Sequence, residues 1–245
     1  MVINVHGGHN RIVPGASGYL DEVTEDRAVT AQVIDKLRAL GHTAYDCTDD
    51  SGRTQGQNLA NIVRMCNAHA ADLDVSIHLN SGGGTGTEVL VYSDTGAAAG
   101  YAVKICAAIS ELGYRNRGVK ERKNLYVLRR TTAPALLVEC CFVDSAADAQ
   151  RFDADKMAAA IVRGITGQTA AQTGAAPAQQ TGYHVRITAS TLNVRRDHSA
   201  SSAVATQVRR GEVYTIVDEY NNGGTLWGKL KSGAGWIALK YTQSV

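Results

Sequence analysis

The residues best suited to chemistry come from three separated stretches, each a short apolar run that carries or ends in a polar side chain. VINVHGGHN, residues 2–10, delivers His6 and His9. LDVSIHLN, residues 73–80, delivers His78 near its end, and PALLVECCF, residues 134–142, carries Glu139 among Leu136, Leu137, Val138 and Phe142. A carboxylate in such a run is costly to bury unless it is paired or faces a cation. Imidazoles with carboxylates are the donor set of a hydrolytic zinc, which takes three protein ligands and lowers the pKa of a water at the fourth position to about 7. Two histidines and a glutamate would make that site, and a further glutamate would serve as base. Structural histidines with a hydrogen-bonded acid account for the same residues, and two imidazoles with a carboxylate also suit other divalent metals.

The elements that must position these groups follow from the apolar pattern. Val2, Ile3 and Val5 read as a buried parallel strand, with Gly7 and Gly8 allowing a sharp turn after it. Residues 22–40 read as an amphipathic helix with Ala28, Val29, Val33, Ile34 and Leu37 on a broad apolar face and Gly41 as its stop. A strand at TAYDC, a helix around 58–70, strands at LDVSIHLN and TEVLVYS and a helix at AAAGYAVKICAAISEL follow. NLYVL and PALLVECCF read as two more strands, and DSAADAQRFDADKMAAAIVRGI as one closing helix with Asp144 or Ser145 as N-cap. This alternation predicts an α/β domain with a mainly parallel sheet flanked by helices, and ligands in such sheets sit at the carboxyl ends of the strands.

At residues 168–182 the composition changes to QTAAQTGAAPAQQTG, uncharged and without a large apolar residue, which reads as a flexible linker. Beyond it, TLNVR, EVYTIVDEY, LWGKLKS and GWIALKY alternate with turns at NNGG and SGAG, the pattern of a small all-β, SH3-like barrel. The organisation is therefore residues 1–167, a linker at 168–182 and residues 183–245. Lys and Arg number 17 against 19 Asp and Glu through residue 167, but 8 against 4 from residue 183 onward, so the smaller part suits a negatively charged partner.

Composition narrows the class. A hydrophobic share of 44% in 245 residues is ample for the core of a soluble globular protein. No apolar stretch nears the roughly 20 residues of a membrane span, so membrane insertion is not expected. The MVINV start lacks the basic, apolar and cleavage regions of a Sec signal peptide. Five cysteines with no CxxC pair argue against a disulfide framework or zinc finger and for reduced, mostly buried thiols. Cys140 and Cys141 directly follow Glu139, but adjacent strand residues point to opposite faces and no base–nucleophile pair accompanies them. Nucleic acid is not an expected partner, since no RNP-type or helix-turn-helix pattern is present.

In order along the chain, GHNRIVPGASG, the helix start at Glu22, RALGH, ADLDVSIHLNSGGGTGTEVLVYS, RNRGV and NLYVLRRTTAPALLVECCFVDSAAD resemble the zinc-dependent N-acetylmuramoyl-L-alanine amidases of the Amidase_3 type. The resemblance runs from about residue 2 to 164, and its most specific parts are Gly-His, Ser-Ile-His-Leu-Asn and Pro-Ala-Leu-Leu-Val-Glu. It implies that His9, which follows a glycine and precedes Gly15-Ala16 at the family's interval, is a zinc (Zn2+) ligand, whereas His6 is not. The family's Glu, followed four positions later by Asn, falls on Glu22, although Asp26 stands where Asn is usual; Glu25, three residues on, is the alternative. His78 is the third ligand implied, and Glu139 occupies the place of the catalytic glutamate that carries the proton. The implied reaction is zinc-assisted hydrolysis of the amide between the lactyl group of N-acetylmuramic acid and L-alanine. Asn80 and Glu88 match family positions near the site, and the basic run RNRGVKERKN, with Arg117, is a candidate for contacts with the stem peptide or anionic wall polymers.

TLNVRRDHSASSAVATQVRRGEVYTIVDEYNNGGTLWGKLKSGAGWIALKYTQ is similar to bacterial SH3 domains of the SH3b or SH3_3 type, although Arg195-Arg196-Asp197-His198-Ser199 departs from their usual first-loop segment. Trp227 and Trp236 are candidates for stacking on sugar or peptide, or for filling the core of the barrel. The resemblances together imply a phage or prophage endolysin: a zinc amidase joined to a wall-binding domain, made without a signal peptide and released when a holin opens the membrane. Bacterial peptidoglycan is the expected partner. A host autolysin or spore-associated amidase, or a wall-binding protein without activity, are the alternatives.

Overall fold

The computed structural model describes residues 1–168, 183–196, 198–200, 202–222 and 225–245. All but the first residue of the expected linker, the Gly-Gly of the NNGG turn and Asp197 lie outside these. The chain divides into two compact units, Met1–Gln172 and Thr173–Val245.

In the first unit six strands, β1 (Val2–Gly7), β2 (Thr43–Asp46), β3 (Leu73–Asn80), β4 (Thr87–Val91), β5 (Asn116–Glu121) and β6 (Ala135–Phe142), form one sheet in the order β2-β1-β3-β6-β4-β5. Every pairing is parallel except β4 with β6, which is antiparallel. Side-chain alternation assigns the two faces. Val89, Val91, Leu136 and Val138 pack into one cluster with the helices α1 (Glu22–Ala39), α3 (Ala99–Ser110) and α6 (Ala154–Thr166). Leu90 and Leu137 point the other way, against α2 (Gln55–Cys66) and α4 (Tyr126–Arg130).

Helix α1 carries much of the first face. The Asp21 side chain accepts from the Thr24 amide at 2.9 Å as N-cap, Glu22 and Glu25 lie in the first turn and Lys36 and Arg38 in the last, both favourable to the helix dipole. Gly41 ends the helix in the left-handed conformation, at φ 81°. Val29, Val33 and Leu37 are fully buried, each contributing about 1.5–3 kcal/mol.

In this unit two local expectations are corrected. NLYVL is not a strand: Tyr126–Arg130 is a short helix whose Val127 and Leu128 bury against Ile62 and Val63, because a short apolar run fits a buried helical turn as well as a strand. The strand expected there is supplied earlier by NRGVKE, a polar sequence suited to an edge position, since β5 pairs only with β4. The closing helix is two, α5 (Ala146–Arg151) and α6. Phe152 is extended, and Asp153 caps a new start by accepting from the Asp155 and Lys156 amides. Of the two N-caps expected, Ser145 caps α5, and Asp144 accepts instead from the amides of Gly82 and Gly83.

The second unit is an all-antiparallel sheet of seven strands: β7 (Tyr183–Ile187), β8 (Thr191–Arg195), β9 (Val204–Arg209), β10 (Val213–Asn222), β11 (Thr225–Leu230), β12 (Trp236–Ala238) and β13 (Thr242–Ser244). Their order is β13-β7-β10-β11-β12-β8-β9. Val185, Ile187, Leu192, Val194, Ile216, Leu230 and Ile237 fill its core. GWIALKY does not run through as one strand, for Leu239–Tyr241 is a single 3-10 turn. All five cysteines are buried free thiols.

Candidate metal and catalytic site

Three elements of the first unit converge on one point. β1 ends at Gly7 and the loop after it carries His9, α1 begins with Glu22, and β3 carries His78 near its carboxyl end. One donor atom from each of these three residues lies within 4.8 Å of the other two, the only such group of three or more His, Cys, Asp or Glu among the described residues. Glu22 Oε1 is 3.0 Å from His78 Nδ1 and 3.7 Å from His9 Nε2. The two imidazole rings meet nearly at right angles with centroids 5.1 Å apart.

Glu22 is held by backbone donors as well as by its ring partner. The Leu79 amide donates to Oε1 at 3.1 Å and the Ala16 amide to Oε2 at 2.7 Å. A side chain at Gly8 would collide with the His78 ring, and one at Gly15 with the Glu22 carboxylate and the His9 ring. The glycines beside His9 are thus required by the space the three ligand candidates occupy. One residue that the sequence pattern left unnoticed completes the loop. Arg27 donates to the His9 carbonyl and bonds Asp50 at 2.7 Å and Asp26 at 2.8 Å, so that one guanidinium ties the start of α1 to the His9 loop. Nothing in the residue pattern marks Arg27, because its partners lie up to 23 positions away.

Burial and mutual charge set the protonation of these groups. Burial alone would push His78 down, but its bond to Glu22 and the carboxylates of Glu139, Glu22 and Asp26 leave it raised. Glu22 is the counterpart: burial opposes its charge, and His78, the Ala16 amide and His9 outweigh burial and lower its pKa. His9 is lowered, by burial first and then by His78. The Asp26 carboxyl, fully buried, is raised to about 7 by burial against the pull of Arg27 and His78, and its Oδ2 has no hydrogen-bond partner.

Glu139 stands beside this cluster in the sheet. Its Cα pairs with that of His78 across β3 and β6 and with that of Glu88 across β6 and β4. The Oε2 atom is buried and without a partner, an arrangement a carboxylate keeps only at a cost. Burial raises the carboxyl to about 7, with His78 opposing and Glu22 and Glu88 reinforcing. A buried carboxyl whose pKa is raised in this way, paired in register with His78, is a candidate for proton exchange.

The remaining candidates fall into separate places. His6 is buried at the end of β1, 3.3 Å from the Gly7 carbonyl and 3.5 Å from Ser76 Oγ. Burial, then His78, pushes it down to about 3, so it is a neutral polar support outside the group of three. Glu25 also lies outside that group, and its carboxyl is raised by burial and by Asp21. Asn80 and Arg117 meet on Glu88: Asn80 Nδ2 donates at 3.0 Å and Arg117 Nε at 2.8 Å, and the guanidinium lies 4.9 Å from the centre of the Phe142 ring. In the second unit Trp227 is buried, 4% exposed, whereas Trp236 is half-buried with its ring edge-on to His198 and Lys229 Nζ 5.7 Å from its centre.

The donors fit a divalent metal with nitrogen and oxygen preference. Two imidazoles and a carboxylate come together on backbone-fixed supports, and the unpartnered Glu139 Oε2 lies next to them in the sheet.

Comparison with known proteins bears on the same residues. Residues 1–167 match the N-acetylmuramoyl-L-alanine amidase family, Amidase_3. The sporulation-specific N-acetylmuramoyl-L-alanine amidase of Bacillus subtilis is 31% identical over 209 residues, covering 83% of this chain and 80% of that protein. An uncharacterised Clostridium perfringens protein, CPE1502, is 37% identical over 154 residues, 60% of this chain, and the chain spans only 45% of its length. The endolysin of Bacillus phage SPP1 is 29% identical over 57% of this chain and 53% of its own. Among solved structures, the catalytic domain of the CD27L endolysin, which targets Clostridium difficile, superposes with a TM-score of 0.64 at 26% identity, covering 69% of this chain and 98% of that one. The catalytic domain of the amidase CwlV from Bacillus (Paenibacillus) polymyxa gives 0.60 at 27% identity, over 68% of this chain and 96% of that one. The six-stranded sheet, the loop that carries His9 and the buried Glu139 all fall within residues 1–167, and the chain belongs to the N-acetylmuramoyl-L-alanine amidase family.

Proposed function

We propose that the first unit hydrolyses the amide joining the lactyl group of N-acetylmuramic acid to L-alanine in bacterial peptidoglycan, with zinc as its metal. The observation that carries this reading is the meeting of His9, Glu22 and His78 within 4.8 Å, next to a glutamate whose buried Oε2 has no partner. When bound, zinc supplies Lewis acidity to the amide carbonyl and makes water acidic enough to lose a proton near neutrality. His9, Glu22 and His78 would hold it. Glu139 Oε2 takes the proton of the attacking water and returns it to the nitrogen of L-alanine as the C–N bond breaks, yielding a free lactyl carboxylate and a free amine. Asn80 and Arg117 fix Glu88 beside Glu139 and thereby the polar surroundings of the proton carrier.

On this reading residues 1–167 are the catalytic domain, 168–182 a linker and 183–245 a wall-binding domain of the bacterial SH3 type. The arrangement suits an endolysin that acts on the wall after holin-dependent release or lysis. The likeness to the SPP1 endolysin and to the CD27L domain supports this. A host sporulation amidase is the second reading, favoured by the longer match to the Bacillus subtilis protein, which covers 83% of the chain.

The test is release of L-alanine amino groups from purified Gram-positive peptidoglycan by the wild type and by Glu139→Ala at equal, verified zinc content. Release that disappears in the variant while zinc stays bound supports the reading. A zinc-loaded wild type that frees no such groups from several wall types refutes it.

A further inference from the structure

The second unit contains a cavity of about 470 Å³, a size that suits a small ligand or one to two units of a polymer. Trp227 and Thr191 line it together with Arg195, Asn193, Lys240 and Tyr241, and no Asp or Glu is among the described residues of its wall. The two cations are placed differently. Arg195 is half-buried on β8, and its Nη1 donates to the Ser202 carbonyl at 2.5 Å, which tethers the guanidinium at one nitrogen. Lys240 is exposed on the 3-10 turn with its Nζ 5.1 Å from the centre of the Tyr241 ring, itself 43% exposed. The groove therefore offers a tethered guanidinium, an exposed ammonium, an aromatic ring and polar side chains, on a unit whose Lys and Arg outnumber Asp and Glu by 8 to 4.

We propose that this groove binds an oxyanion carried on a wall polymer, with the anion held by Arg195 and Lys240 and the adjoining polyol, sugar or peptide lying on Tyr241. A fork-shaped guanidinium suits the paired oxygens of phosphate or carboxylate, and the aromatic face suits the apolar side of a sugar or alkyl chain. Phosphate of an anionic wall polymer and carboxylate of a stem peptide share this chemistry. The inference rests on the wall-directed reading above but not on the amide chemistry of the first unit.

The experiment measures retention of the full chain on purified Gram-positive walls, at 0 °C and with Glu139→Gln present throughout so that cleavage does not confound binding. Lys240→Gln and Tyr241→Ala are expected to weaken retention about tenfold each, and Lys240→Arg to stay within about twofold of the parent. Both altered side chains are exposed, so unchanged near-ultraviolet circular dichroism is the check that the sheet is intact. Retention should also fall as sodium chloride rises from about 0.05 to 0.5 M. Loss of binding on walls stripped of phosphate polymers by hydrofluoric acid, with competition by poly(glycerol phosphate), assigns the anion to phosphate. Retention on stripped walls with competition by a muramyl tripeptide assigns it to carboxylate. Retention unaffected by both variants, or a parent that binds no wall, overturns the groove. The amino-group release assay separately decides the amidase reading.

Discussion

The two units put their charged groups to opposite uses. In the first, Glu22, Asp26, His6 and His78 are drawn into the fold, where burial shifts their protonation and backbone amides hold them in place. In the second, Lys240 and Tyr241 stay at the surface, and Arg195 is half-buried at the rim of a groove. Under the proposed function the first site would move protons, which suits buried, unevenly charged groups, and the second would retain a polymer, which suits accessible ones with no large desolvation cost. The α/β sheet makes the first arrangement by aiming strand and helix ends at one point, and the small antiparallel sheet has too little interior to do so.

The sharpest way to break this contrast separates the two carboxylates of the first unit. Glu139→Gln should reduce amide cleavage by about 10²–10⁴-fold with metal content unchanged, because it removes a proton carrier and no ligand. Glu22→Gln should lose both cleavage and metal, read by elemental analysis of the dialysed protein, since its amide would present N–H groups to the Leu79 and Ala16 donors. Equal metal loss in the two variants would place Glu139 among the ligands.

Next in size is a test inside the second unit. Trp227→Ala should destabilise that sheet by about 3–5 kcal/mol, measured by denaturant unfolding followed by tryptophan fluorescence, and Trp236→Ala by clearly less, because only the former is buried. A reversed order would mean that Trp236 is the core residue.

A pH test sharpens the role of burial in the first unit at a distance from the metal site. Asp74, buried on β3 and bonded by Asn4 Nδ2 at 2.7 Å, is raised to about 6 by burial, with Asn4 and Thr131 opposing. Its neutral form is favoured in the fold, so its contribution to stability is complete below its ordinary value near 3.8 and is lost as the pH climbs through 6. Stability should decline by about 2–3 kcal/mol across that window, and Asp74→Asn should flatten the slope in urea titrations at each pH. The smallest effect is expected for Arg27→Met, which should weaken metal affinity by about 10-fold, measured by competition with a chelator, by releasing the His9 carbonyl.

Much of this was legible in the chain itself. A glycine-flanked histidine, a histidine at the end of LDVSIHLN and a carboxylate within PALLVECCF mark strand ends; the choice of His9 over His6 and Glu22 over Glu25 came from the family resemblance, and the fold brings His9, Glu22 and His78 together. NLYVL and NRGVKE were not legible, because a five-residue apolar run lacks the length to show its period and a polar edge strand resembles a charged loop. Arg27 and the pairing of Arg117 with Glu88 were invisible for another reason, since both depend on contacts between residues far apart in sequence.

The amino-acid sequence by itself determined the alternating strands and helices, the change to an all-β unit near residue 183, and which residue types reach the carboxyl ends of the strands, because periodicity and local turn chemistry are properties of neighbouring residues. Only the tertiary structure decided that β4 runs antiparallel to β6, that Glu139 lies between His78 and Glu88 with an unpartnered oxygen, and that Arg195 and Lys240 share a groove. Those outcomes follow from burial and from the meeting of distant segments, which no local stretch of chain contains.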